Sequence, residues 1–238
     1  MFKLKQSALL AALALAVACP VLAEDEESAF SGSLDFVSDY TFRGISQTNE
    51  DPALQLGLNY EFSSGFYVGG WGSNVDFVEG DGADYEVDLY VGWAGDMTES
   101  LALDLQLVRY IYPGTNSGFD YDYNEFIGVL SVAEMVDFTL AYSNDALASD
   151  EDGIYYGVSG SYGLPWWELS LDLSLGYYDL DDVVGDSYTD YSVGLSREFG
   201  YVSASLAYIN TDSNFLTDDF FGADNASNRV VFGLSYGF

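Results

Sequence analysis

The last ten residues, Arg229-Val-Val-Phe-Gly-Leu-Ser-Tyr-Gly-Phe238, carry the pattern that decides the fold. Every second residue counted back from Phe238 is apolar, namely Tyr236, Leu234, Phe232 and Val230. The residues between them are mostly small or polar. Because successive side chains of a strand point to opposite faces, the segment is predicted to be a β-strand with one apolar face. A soluble sheet and a membrane barrel both use such strands, so the rest of the chain has to decide between them.

Residues 1–23 have the organisation of a secretory signal peptide. Lys3 and Lys5 give a positive start, Ala8–Ala18 is apolar, and Val21-Leu22-Ala23 supplies a cleavage site. The apolar run is too short to span a membrane as a helix. Lipidation at Cys19 is the alternative, but the residues around it match that signal poorly. The chain is therefore expected to be exported and cleaved.

Composition excludes several functional classes. After residue 23, four arginines are the only basic residues against 39 acidic ones, a formal charge of 4 − 39 = −35, and there is no histidine. Nucleic-acid binding needs a basic surface and is excluded, as are disulfides and Cys/His metal sites in the mature chain. The 20 tyrosines and 16 phenylalanines argue against an acidic disordered chain. They favour an all-β protein with aromatic residues at a boundary between water and an apolar phase.

Twelve alternating segments of about ten residues can be counted from Ser31 to Phe238. The clearest sets leucines against polar and small residues between Leu169 and Tyr178. The first is predicted to continue through Phe42, with Tyr40 and Phe42 on the same apolar face as Leu34. The third is predicted to place Tyr67, Trp71, Val75 and Phe77 on one face, and the sixth, over residues 121–133, is apolar on both faces.

The connections between these segments alternate between short and long. Short ones fall at residues 63–64, 96–99, 134–135, 165–166 and 198–200, and long ones near 46–51, 78–83, 113–120, 145–152, 179–187 and 212–228. Short periplasmic turns opposite long external loops are typical of outer-membrane barrels, whereas a soluble barrel has no reason to sort its loops. In hydrocarbon an open sheet edge leaves N–H and C=O groups unpaired, so the sheet must close.

The predicted fold is therefore all-β: a closed antiparallel transmembrane β-barrel of about 12 strands. The expected organisation is a cleaved signal peptide at residues 1–23, a short acidic periplasmic N-terminus at 24–30, and one barrel domain at 31–238. The expected location is the outer membrane of a Gram-negative bacterium.

Two segments resemble known outer-membrane proteins. Ser38-Asp39-Tyr40-Thr41-Phe42-Arg43-Gly44-Ile45-Ser46-Gln47 resembles the N-terminal signature of the TorF-type porins of proteobacteria. That resemblance implies an outer-membrane pore without naming its solute. The chain end resembles the C-terminal signal read by the barrel assembly machinery, formed here by Phe232, Leu234, Tyr236 and Phe238. Expected partners are this machinery, outer-membrane lipid and lipopolysaccharide, and small hydrophilic solutes.

If the apolar alternates face lipid, the polar alternates face the lumen. Charge on the lipid face costs about 2–4 kcal/mol for Arg or Lys at the bilayer centre, which favours this assignment. Arg43 and Arg229, on the first and last strands, are expected to form a lumenal ion-pair cluster with Asp35 and Asp39. An acidic lumen would favour cations; alternatively, the charged residues only fill and stiffen a narrow barrel. The predicted pore-lining residues are Asp35, Asp39, Arg43, Glu86, Asp88, Asp104, Asp137, Asp172, Asp190 and Arg229.

Other functional signals are weaker. Ser-His catalysis is impossible without histidine and no carboxylate pair stands out, so no enzyme is expected. Residues 79–84 and 179–182 could bind Ca²⁺ through clustered oxygens, although a solvated acidic rim is the favoured interpretation. No other cofactor is expected. A structural or adhesion barrel that uses these acidic loops is the alternative to a channel.

Two further positions carry expectations about local structure. Arg109 follows the apolar alternates Leu101 to Leu107, so it requires either a bulge or a place at the outer interface. The apolar pairs Phe215-Leu216 and Phe220-Phe221 are expected to fold over the barrel mouth.

The terminal aromatic residue generates the first prediction. Deleting Phe238, or replacing it by Asp, should leave export intact but lower membrane insertion, because the assembly signal loses its last apolar residue. The measurement is the amount of protein in isolated outer membranes and its heat-resistant migration on gels. Unchanged abundance of the variant would contradict the assignment.

Overall fold

The computed structural model of the protein describes residues 29–212 and 225–238. Its strands are β1 (Ala29–Val37), β2 (Thr41–Phe42), β3 (Ile45–Ser46), β4 (Ala53–Glu61), β5 (Phe66–Asn74), β6 (Tyr85–Thr98), β7 (Leu101–Ile111), β8 (Tyr123–Val132), β9 (Val136–Ser143), β10 (Gly153–Gly163), β11 (Ser170–Leu180), β12 (Asp186–Phe199), β13 (Val202–Thr211) and β14 (Arg229–Gly237). A 3₁₀ turn (Ala146–Ala148) and α1 (Asp181–Val184) are the helical elements of the described residues. Neither is long and apolar enough to cross a membrane.

All strands except β2 and β3 form one closed antiparallel barrel of 12 strands, in the order β1-β14-β13-β12-β11-β10-β9-β8-β7-β6-β5-β4. The predicted fold class and strand number are therefore confirmed. β1 already begins at Ala29 rather than at Ser31. The signal peptide, residues 24–28 and the pairs Phe215-Leu216 and Phe220-Phe221 lie outside the described residues.

The barrel closes where β1 meets β14. Ser33 to Val37 pair with Gly237 to Gly233, and Gly32 and Phe238 extend the ladder through two backbone hydrogen bonds of 2.8 and 2.9 Å. The terminal ring lies over Gly32, where a Cβ atom would come within 2.6 Å of it. The last residue of the chain thus packs directly on the first strand.

The outer face of the barrel is apolar. Exposed apolar side chains occur at every second position of most strands, for example Leu34 and Phe36, Leu173 and Leu175, and Leu206 and Tyr208. One strand, β5, departs from its predicted orientation, and a second, β8, has apolar side chains on both faces as predicted. Tyr67 and Trp71 of β5 point inward and Phe66 and Val68 point outward, because three glycines in this strand leave its pattern weakly specified. In β8, Phe126 faces outward, whereas Ile127 and Val129 join the interior core.

The two ends of the barrel differ. At what we name the turn end, strands connect through residues 62–65, 99–100, 133–135, 164–169 and 200–201. At the opposite loop end they connect through residues 38–52, 75–84, 112–122, 144–152 and 181–185, and residues 212 and 225–228 lie at the same end. The connection between β11 and β12 is shorter than the expected 179–187, because both strands extend further and α1 joins them.

After Val37 the chain leaves the wall and enters the barrel. Ser38 holds this bend by two 2.9 Å hydrogen bonds with the backbone of Phe232. β2 and β3 then pair around Arg43-Gly44, whose φ values of 47° and 82° suit the two-residue turns that favour positive φ. We name residues 39–48 the plug hairpin. It is deeply buried, with Tyr40, Ile45 and Thr48 at most 2% exposed.

The prediction that Tyr40 and Phe42 continue the apolar outer face is therefore wrong. Wall pairing of this strand stops at Val37. The alternation beyond that point belongs to the plug hairpin, whose apolar side chains contact the barrel interior instead of its surroundings.

The contact between Gly32 and Phe238 generates the second prediction. Gly32→Val should destabilise the folded barrel by about 1–3 kcal/mol, because its Cβ atom would meet the terminal ring and the carbonyl oxygen of Gly57 at 2.9 Å. The control is Gly163→Val in β10, where no atom lies within 4 Å of the position that the added Cβ atom would take. Urea unfolding followed by heat-resistant gel migration measures both variants. Equal midpoints would contradict this role of Gly32.

Candidate functional site

Aromatic side chains fill the barrel interior near the loop end. Tyr40 of the plug hairpin packs edge-on against Trp71 with ring centroids 5.3 Å apart. Phe42 packs against Tyr110 at 6.1 Å, and Tyr110 stacks on Tyr123 at 4.4 Å. The plug hairpin therefore contacts side chains of β5, β7 and, through this stack, β8.

The base of the plug hairpin is fixed by Asp39. Its carboxylate accepts hydrogen bonds from Ser46 Oγ at 2.6 Å and Thr48 Oγ1 at 3.1 Å. Arg229 donates to the other carboxylate oxygen at 2.8 Å, and its guanidinium also donates to the carbonyl oxygens of Asn225 and Ser227. A buried ion pair thus connects the hairpin to the start of the last strand.

The tip of the plug hairpin carries a second buried ion pair. Arg43 Nη2 lies 2.8 Å from Glu125 Oε2, and the two side chains are 7% and 1% exposed. The guanidinium carbon lies 4.3 Å from the Tyr155 ring centre and 4.4 Å from that of Tyr178. Tyr110 donates a further hydrogen bond to Glu125 at 3.1 Å. We name the wall residues Tyr110, Glu125, Tyr155 and Tyr178 the tip receptor.

The structure brings together some of the predicted pore-lining residues. Asp39 and Arg229 form the expected pair at the closure of the barrel. Arg43 lies away from Asp35, and instead reaches Glu125 on β8. Asp35 accepts a hydrogen bond from Ser33 Oγ at 2.7 Å.

Sequence reasoning missed Glu125 because the segment around it is apolar on both faces. In the barrel, β8 alternates between Phe126 outside and Glu125 and Ile127 inside. The one signal in the sequence was an acidic residue, Glu125, within an otherwise apolar strand.

Tyrosines supply hydrogen bonds to other wall carboxylates. Glu86 Oε1 accepts from the Tyr112 hydroxyl at 3.0 Å, and Asp104 from that of Tyr67 at 2.6 Å. Tyr155 donates to Asp190 at 3.4 Å. Asp88, which is 3% exposed, shares the inner face of β6 with Glu86. Within residues 29–212 and 225–238 none of these four acids forms an ion pair with an arginine, although the first three each accept from a neutral donor.

Near the turn end the inner wall is lined by small polar residues. Asp137 accepts from Ser131, and Asp172 accepts from Ser161 at 2.7 Å. Ser174 and Ser192 hydrogen-bond each other at 2.7 Å. Apart from Ser131, which is buried, these side chains are more exposed than those around the plug hairpin. We name this region the vestibule.

The interior therefore has two parts. A packed aromatic layer lies near the loop end, and the polar vestibule lies near the turn end. A cavity of about 20 Å³ remains beside the hairpin, lined by Phe42, Ile45, Gln47, Glu86, Tyr112, Tyr123, Leu147, Tyr178 and Tyr188. This volume suits a single water molecule. The described side chains are thus closely packed around the plug hairpin.

Acidic side chains of the loops accept hydrogen bonds from neighbouring loop and strand residues. Asp81 accepts hydrogen bonds from the backbone N–H groups of Val78 and Ala83 and from the Tyr121 hydroxyl. Burial, reinforced by the charge of Asp81, raises the pKa of Tyr121 to about 12, so its hydroxyl stays protonated. Asp179 accepts from Ser187 Oγ. Over residues 29–212 and 225–238, no three acidic, histidine or cysteine side chains lie close enough to hold a metal ion.

The other two arginines lie on the outer face, one near each end of the barrel. Arg109 keeps the regular register of β7, without a bulge at this position, and pairs with Asp122 at 3.2 Å close to the loop end. Arg197 pairs with Glu168 at 2.8 Å near the turn end and lies 4.8 Å from the Phe199 ring centre. Of the two expectations for Arg109, the structure shows the place at an outer edge.

The closed 12-stranded barrel with an apolar outside and a charged inside has the fold of outer-membrane porins. The NanC porin in its rhombohedral crystal form is similar with a TM-score of 0.57 and 12% identity, over 87% of this chain and 99% of that one. The KdgM porin gives 0.54 and 11%, over 87% and 99%. KdgM in complex with disordered oligogalacturonate gives 0.52 and 10%, over 89% and 99%.

Residues 23–238 match the family described as "Bacterial protein of unknown function (Gcw_chp)". The chain belongs to that family. No curated protein matches it.

The ion pair at the tip receptor generates the third prediction. Glu125→Gln should destabilise the barrel by about 3–5 kcal/mol, because it leaves the buried Arg43 charge without its partner. The control, Glu168→Gln, breaks the exposed pair with Arg197 and should change stability by less than about 1 kcal/mol. Urea unfolding in detergent measures the stability of both variants. Similar losses of stability would show that burial does not determine how much the Arg43–Glu125 pair contributes.

Proposed function

We propose that the protein is an outer-membrane pore for small hydrophilic solutes, that it prefers cations, and that the plug hairpin moves aside when it conducts. The observation that carries this proposal is the polarity of the inner wall. A barrel that served only as a scaffold could bury apolar side chains there, whereas this one places carboxylates at Glu86, Asp104 and Asp190.

Charge supports a preference for cations. Both lumenal arginines are already paired, Arg43 with Glu125 and Arg229 with Asp39. The remaining inward acids therefore set the sign of the potential, and among them are Asp35, Glu86, Asp88, Asp104, Asp137, Asp172 and Asp190. A narrow passage with low-dielectric walls strengthens the field of such groups.

The comparison with the KdgM porin supports the same sign. The KdgM porin has been solved with oligogalacturonate, an acidic polymer. A polyanion entering the present barrel would meet Asp137 and Asp172 in the vestibule and find no unpaired lumenal arginine among the described residues. We therefore assign a solute of the opposite charge to this chain.

The attachment of the plug hairpin is compatible with movement. β2 and β3 pair only with each other, through Thr41–Ser46 and Phe42–Ile45, and contribute no strand to the wall. The hairpin can therefore shift without breaking the ladder that closes the barrel. Backbone hydrogen bonds of 2.8 Å also join Ser46 N–H to Asn225 and Asp76 N–H to Gln47, and neither belongs to that ladder.

Export and assembly complete the proposal. Cleavage after residue 23, insertion through the terminal signal Phe232 to Phe238, and contact with outer-membrane lipid and lipopolysaccharide are the steps that this function requires. The outer apolar face and the resemblance of residues 38–47 to TorF-type porins support them.

A non-conducting structural or adhesion barrel is the second candidate. The observation that favours it is the close packing around the plug hairpin, where a cavity beside it measures about 20 Å³. A planar bilayer separates the two functions, since a pore gives discrete current steps and a permanently filled barrel gives none.

The vestibule generates the fourth prediction. Under a KCl gradient the reversal potential should have the sign of a cation-selective pore. Its magnitude should decrease as the salt concentration rises, because the Debye length, about 10 Å at 0.1 M, becomes shorter. Asp137→Asn with Asp172→Asn should lower the preference. The control pair, Glu79→Gln with Asp150→Asn, removes equal charge from exposed loop positions and should change it less.

Anion selectivity of the unmodified protein would reverse the proposed sign of the lumen. Complete absence of current in both the wild type and an Arg43→Ala variant would favour the structural barrel instead.

A further inference from the structure

The pocket that receives Arg43 has a chemistry of its own. Tyr155 and Tyr178 present rings whose planes meet at 88°, with centroids 5.8 Å apart. The guanidinium carbon of Arg43 lies 4.3 and 4.4 Å from these two ring centres. Glu125 supplies the carboxylate at 2.8 Å. Two aromatic faces beside a buried carboxylate form a receptor for a planar cation.

We propose that the tip receptor is a binding site for solutes that carry a guanidinium group, and that Arg43 occupies it as an internal substitute for them. The inference rests on the proposed pore and deepens it by naming the chemical class of solute. Displacing Arg43 from the receptor would release the tip of the plug hairpin, so binding and opening would be coupled.

The tip receptor and the neighbouring Asp190 contain more acceptors than Arg43 uses. Among the described residues, Glu125 Oε1, Asp190 Oδ2 and the Tyr178 hydroxyl are buried without a hydrogen-bond partner. Arg43 Nη1 is also buried and makes no hydrogen bond. The tethered guanidinium therefore leaves acceptors of this region unused in the present conformation. A free guanidinium has no such tether and offers five or more N–H donors.

A glycine in the barrel wall leaves space for two polar groups of this region. A Cβ atom on Gly176 would collide with the Tyr155 hydroxyl and Asp190 Oδ2, so a glycine here gives both groups room in the lumen. The hairpin approaches the same place, since a Cβ atom on Gly44 would lie 2.8 Å from the Asp190 side chain. Asp190 is thus next to the hairpin tip without pairing to Arg43 in this conformation.

The geometry selects guanidinium over a primary ammonium. Tyr155, Tyr178, Tyr110 and Glu125 all belong to the wall, so they remain when the hairpin leaves. A planar guanidinium is weakly hydrated and stacks on aromatic rings, whereas a compact ammonium is strongly hydrated and cannot contact two rings and a carboxylate in the same way.

Binding is tested first, without any current. Purified full-length Arg43→Ala in detergent is titrated calorimetrically with methylguanidinium chloride, and saturable binding is expected. Arg43→Ala/Glu125→Gln, which removes both members of the pair, should bind about tenfold more weakly or worse, the loss of a charge-assisted hydrogen bond. The wild type should bind more weakly than Arg43→Ala because Arg43 competes. Arg197→Ala, changed on the outer face, should behave as the wild type does.

Equal affinity of the single and double variants, or equal binding of methylammonium, would overturn the assignment. If Arg43→Ala does not fold, Arg43→Met keeps the side-chain volume and replaces it in the same comparison. The titration separates the site from the pore. Binding without bilayer current would uphold the receptor and count against conduction, whereas current without binding would uphold the pore and overturn the receptor.

When current is present, methylguanidinium should raise the open fraction of the wild-type pore at concentrations where methylammonium does not. It should also block Arg43→Ala saturably, because the emptied receptor then lies in the conducting path. A response to neither ion, or to both alike, would overturn the coupling between the receptor and the hairpin.

Discussion

Backbone hydrogen bonding is the constraint on which the rest of this structure depends. A sheet with an apolar outer face has to pair its edges, and β1 does so with β14. Closing 12 strands produces a tube wider than those whose wall side chains alone fill the interior, since about eight strands mark that limit. The segment that fills the interior near the loop end is the plug hairpin. Closure thus leaves an interior that the plug hairpin fills near one end of the barrel.

The placement of the four arginines follows from the cost of unpaired charge. Inside, Arg43 and Arg229 each meet a buried carboxylate at 2.8 Å. Outside, Arg109 and Arg197 lie near opposite ends and pair with partly or fully exposed acids. A buried pair is weak support for stability but can fix one arrangement among several. The two interior pairs fix the plug hairpin at its base and at its tip, while the outer pairs coincide with the edges of the apolar face.

Much of the barrel could be predicted from the sequence, because the outer and inner faces of its wall have different surroundings. This difference enforces an alternation of apolar and polar residues along each strand. Leu173 and Leu175 could only face outward once Asp172 and Ser174 faced the lumen, and the terminal strand showed the same rule. The rule fails where one face loses its distinct surroundings. Ile127 is apolar yet interior, because the neighbouring lumen is filled with protein rather than water.

The candidate site was predicted in part. Asp39 and Arg229 could be paired from the order of the strands, since closure brings the first and last strands together. The plug hairpin could not, because Tyr40 and Phe42 preserve strand alternation inside the barrel. Its turn is Arg43-Gly44, whereas Asn-Gly or Asp-Gly would have been a stronger hairpin signal. With the hairpin unrecognised, no argument from spacing could connect Arg43 to Glu125.

The pair between Asp39 and Arg229 joins residues 190 positions apart in the chain. The base of the plug hairpin therefore cannot be secured until the final strand has arrived, although the hairpin itself is among the first segments to be made. A chain that stalled before its last strand would hold Asp39 without Arg229, the cation that pairs with it in the folded barrel. One contact thus couples the fastening of the hairpin base to the arrival of the last strand.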